Sequence, residues 1–80
     1  MTNTKNLSSV LDSFLLQDFI FIREYQDKYF FVKKIEEFFP SIKEEIIYTA
    51  LDKTNNFFNK PIKKKLFIDK FTSEINNMIS

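Results

Sequence analysis

The chain has 80 residues, 44% of them hydrophobic and 29% charged, with a formal net charge of +1 and no cysteine. One small core is all it can build, held by packing or by association and not by disulfides. Histidine, glycine and tryptophan are absent too, which excludes the usual nucleophile and base pairs, soft-metal sites and glycine-rich phosphate loops.

Phe, Ile, Lys and Asn supply 39 of the 80 residues, whereas Gly, Ala, Arg and Pro supply 4. This bias is what an AT-rich gene produces, and it points to an AT-rich microbe or its mobile elements. The position of a lysine or phenylalanine therefore carries more weight than its abundance.

Residues 1–7 lack periodicity and are expected as a disordered tail ahead of a single helical domain over 8–80. Ser8 or Ser9 can cap a first helix over residues 9–16, with Asp12 near its positive end. Over residues 19–39, one helix competes with a hairpin of strands at 19–25 and 29–34. Opposite charges four apart, Arg23 with Asp27, Glu24 with Lys28 and Lys33 with Glu37, favour the helix, where each pair contributes ~0.2–0.5 kcal/mol. Phe21, Ile22, Tyr25, Tyr29, Val32, Ile35 and Phe39 also share one helical arc. A single rod over residues 9–39 would run about 46 Å, too long for so small a domain, so a bend near Gln17 and Asp18 is expected.

Pro40 stops that helix, and Ser41-Ile42-Lys43-Glu44 reads as a capping box for a third helix starting at Ile42. The third helix turns Ile42, Ile46, Ile47, Ala50, Leu51, Phe57 and Phe58 inward and frays through Thr54, Asn55 and Asn56 toward Asn59. Pro61 suits the first turn of a fourth helix whose stripe is Phe67, Ile68, Phe71, Ile75, Met78 and Ile79. The fold class is all-α, a small bundle of three or four helices. Phe38-Phe39-Pro40 before an acidic helix ending Ala50-Leu51 resembles the opening of CUE-type ubiquitin-binding modules. The third helix and dileucine ending of that family are missing, and helix punctuation accounts for the Phe-Pro step, so no family is assigned.

Glu36 with Glu37 and Glu44 with Glu45 are neighbours that diverge on a helix and are read as solvated faces, so no catalytic residue, cofactor or metal site is assigned. Lys60, Lys63, Lys64 and Lys65 crowd the expected start of the fourth helix, an end that prefers acids. Residues 59–80 carry +3 while 1–40 and 41–58 each carry −1, so an anion or nucleic-acid contact there is the alternative reading. Phe19 and Phe30 lie opposite the main arc of their helix, Tyr48 lies outside that of the third, and Ile62 and Leu66 leave the stripe of the fourth. Apolar residues on a second face favour a protein partner, itself or another, with these five at the interface. The expectation is a small non-enzymatic protein acting through protein contacts as a regulator, adaptor, inhibitor or assembly subunit, and self-associating. No apolar run exceeds four residues against the ~18 of a membrane span. With no targeting signal either, the expected location is the cytoplasm.

Overall fold

Leu7, Val10, Leu11 and Phe14 recur at helical spacing and form the inward side of α1 (Lys5–Phe14), with Leu15 buried just past its end. A computed structural model, which describes residues 5–79, continues with β1 (Phe19–Ile20), α2 (Tyr25–Phe38), α3 (Glu44–Phe58), β2 (Ile62–Lys63) and α4 (Lys64–Ile79). Over the described residues the protein is an all-α bundle of four helices with one minimal antiparallel strand pair, Phe19 opposite Lys63 and Ile20 opposite Ile62. Each half of the chain is thus helix, strand, helix, and the two halves meet through their strands. Helix α4 packs on α1 and α3, and α2 packs on α3. No described helix is long and apolar enough to cross a membrane.

The centre of the core is aromatic. Phe31 meets Phe67 edge-on at 5.8 Å and Phe71 at 5.1 Å, while Phe14 tilts against it at 5.8 Å. Ile35, Ile47, Ala50, Leu51 and Ile75 are fully buried around this cluster. Each edge-to-face pair adds about 0.5–1.5 kcal/mol beyond the area it buries.

The bend expected near Gln17 and Asp18 is a complete break that includes β1, because the molecule spans only 32 × 21 × 21 Å. Phe19 through Glu24 are therefore not helical, and the hairpin over 19–34 is not formed either. Of the expected tail, residues 1–4 lie outside the described residues, whereas Lys5, Asn6 and Leu7 open α1 and Leu7 is fully buried. The buried arc of α2 is Phe31, Val32 and Ile35. Tyr25 and Tyr29 are exposed instead, since α2 meets the bundle through the side that carries Phe31. Lys28 pairs with Asp52 at 2.9 Å, and Lys33 with Glu36 and Glu44 at 3.3 and 3.4 Å, so α2's charges tie it to α3 more than to itself.

The third helix starts two residues later than the capping box at Ser41 places it, after a tight turn. The Ile42 amide donates to the Phe39 carbonyl at 3.0 Å, with Pro40 and Ser41 between them. Helix α3 then begins at Glu44 behind an extended Lys43, whose own side chain makes no cap bond, and Glu44 and Glu45 complement its positive end. Fraying at its far end does not occur. Thr54 is buried with its hydroxyl donating to the Ala50 carbonyl, and Asn55 Nδ2 donates to the Ile22 carbonyl at 2.8 Å. Asn59 closes α3 in the left-handed region, φ 54°, with its amide on the Asn55 carbonyl. Pro61 precedes β2 instead of opening α4, which starts three residues later at Lys64.

Candidate functional site

Where α1 stops, the chain turns sharply enough that adjacent leucines part company: Leu15 is buried while Leu16 is 88% exposed. Leu16 stands at the lip of a cleft of about 770 Å³ formed by the end of α1, the segment around β1 and one face of α2. Buried Leu15, Ile20 and Phe31 lie at its base, and Phe30, 59% exposed, stands with Leu16 at its edge. Gln17, Asp27 and Lys34 supply polar groups to the lining. An apolar base with exposed apolar residues at the rim and a few charges around them suits a macromolecular contact.

The five expected interface residues separate in space. Phe30 belongs to this cleft. Phe19 and Leu66 are more than half exposed but do not line it. Ile62 is corrected to a core residue, because it sits on β2 and pairs across to Ile20, which puts both side chains inward. Tyr48 is half-buried against the core and lines a separate depression with Lys43, Glu44 and Glu45. Burial raises its hydroxyl pKa above the ordinary value, reinforced by nearby Tyr25 and Glu44. Lys33, hydrogen-bonded to Glu36 and close to Glu44, is likewise raised.

Comparison with protein-family models, curated proteins and solved structures finds no match.

The lysine cluster is also divided. Lys64 Nζ donates to the carbonyls of Asp12 and Leu15 at 3.1 and 2.9 Å and pairs with the Asp12 carboxylate at 3.2 Å. Its charge therefore sits on the negative end of α1, where the last carbonyls lack helical partners. Asp12, which would repel that end, is neutralised in the same contact. Lys65 pairs with Asp69 along α4. Lys60 and Lys63 remain exposed, and among the described residues they make no ion pair. Among the described residues no three carboxylates gather into a possible metal cluster.

Leu16 was not foreseeable as a site residue from periodicity, which places it inside the first helix beside Leu15. The signal that distinguishes it is the end of α1 at Phe14, and Lys64, from the other end of the chain, helps to set that end.

Proposed function

We propose that this is a non-enzymatic helical protein that works through protein contacts, as a regulator, adaptor, inhibitor or assembly subunit, using the face around the α1–α2 cleft. The observation that carries this reading is Leu16, almost fully in water beside Phe30 at the edge of an apolar cleft. Burying two such side chains on a partner would return about 1.5–3 kcal/mol each, which is the usual scale of an interface anchor. The lysines at 60, 63, 64 and 65 support the nucleic-acid alternative less, because Lys64 and Lys65 already have intramolecular partners.

Site-specific cross-linking tests the proposal. The chain has no cysteine, so Leu16→Cys offers one thiol for a photoreactive label in cells of the native host. The expected result is a discrete protein adduct that Phe30→Asp abolishes. Absence of an adduct, or an adduct indifferent to Phe30→Asp, would overturn the reading.

A further inference from the structure

The cleft face of α2 carries charges in a particular order. Asp27, Phe30 and Lys34 all line the cleft, and Phe30 lies between the two charges along α2. The sign is minus at 27 and plus at 34. Both charged residues are exposed, and among the described residues neither has an ion-pair partner. Rotating this pattern by half a turn about an axis beside Phe30 places each charge opposite its complement, so that Asp27 meets the partner's Lys34 and Lys34 the partner's Asp27. Asp27 and Lys34 lie about 10.5 Å apart along a helix, so the two equivalent contacts fall on either side of the axis.

We propose that a second copy of this chain covers the cleft, with α2 packed antiparallel on the α2 of its partner about a two-fold axis at Phe30. This rests on the protein-contact reading and names the partner. An interface of this symmetry uses the same patch on both copies, so a self-complementary order of charges is what it requires. Phe30 meets the partner's Phe30 at the axis, and Leu16 of each copy closes over the apolar surface beside it. The charges set the antiparallel direction and the apolar side chains supply the affinity.

Charge reversal separates this arrangement from any other dimer. Sedimentation equilibrium at about 100 µM is expected to show a dimer. Asp27→Lys and Lys34→Asp, each alone, put like charges opposite one another twice and weaken it at least about tenfold. The double variant restores complementarity in one chain, and an equimolar mixture of the two single variants restores it between chains. Recovery to within about threefold of the original affinity is expected in both cases. Leu16→Ser weakens the dimer about tenfold or more without changing the far-ultraviolet circular dichroism. A strict monomer, or a dimer that ignores the single reversals, would overturn the proposal. A monomer whose position 16 still cross-links to a different protein would sink the second copy alone and leave the protein-contact reading standing.

Discussion

Replacing Lys64 by methionine removes an ammonium that accomplishes three things at once: two hydrogen bonds to carbonyls near the end of α1, at 2.9 and 3.1 Å, and an ion pair with Asp12 at 3.2 Å. Hydrogen bonds involving a charged group contribute about 1.5–3 kcal/mol, and a cation at a helix C-terminus about 0.3–1 kcal/mol. The Lys64 side chain is 28% exposed, so water recovers part of the loss, while methionine keeps much of the stem's packing. The net cost should be about 2 kcal/mol. For a chain of this size that lowers Tm by about 8–16 °C. The assay is thermal and urea unfolding followed by circular dichroism at one fixed protein concentration, since any association would shift the midpoint. Lys63→Met is the control, because Lys63 is exposed on the strand pair. It should change stability by no more than about 0.5 kcal/mol. A Lys64→Met variant no less stable than Lys63→Met would refute the assignment of Lys64 to the end of α1 and return it to the pool of free surface charge.

Phe31→Ala should cost about 3–5 kcal/mol by opening a cavity among Phe14, Phe67 and Phe71, read as loss of the cooperative urea transition or a large fall in its midpoint. Asn59→Gly should be neutral within a few tenths of a kcal/mol, whereas Asn59→Ala should cost about 1 kcal/mol, because φ 54° crowds a Cβ; the two unfolding midpoints decide it. Stability should fall as pH rises through about 10 and above. Raised values for Lys33 and Tyr48 mean that the folded chain holds protons the unfolded chain has released. Tyr48→Phe and Lys33→Met should each flatten that alkaline decline, measured as unfolding midpoint against pH. The protein-contact reading predicts no salt-dependent affinity for duplex or single-stranded nucleic acid by fluorescence anisotropy. Binding whose salt slope drops by roughly 0.9 for each of Lys60 and Lys63 changed to alanine would favour the alternative.

Periodicity and punctuation were sufficient for the helical class, for most of the buried stripes of α3 and α4, and for the boundary around Pro40. Those features depend on residues three or four positions apart, and the chain's own neighbours determine them. Apolar residues on a second helical face were legible in the same way for Phe30 and Leu66, which are exposed; Phe19 is exposed as well, but on β1 and not on the helix to which its spacing had assigned it. Ile62 was not, because its inward direction depends on pairing with Ile20 from the other half of the chain.

What the amino-acid order determined alone is therefore the set of helices and their apolar character. Tertiary structure decided where α1 ends, where α4 begins and which surplus apolar residues stay in water. Helix α1 stops at Phe14 with Lys64 reaching its carbonyls from 52 residues away, and α4 begins late because residues 62 and 63 are drawn into a strand pair. The physical reason is that a helix end leaves backbone groups unpaired, and the partner that satisfies them can come from anywhere in the folded chain. The exposed lip at Leu16 is a product of that long-range contact.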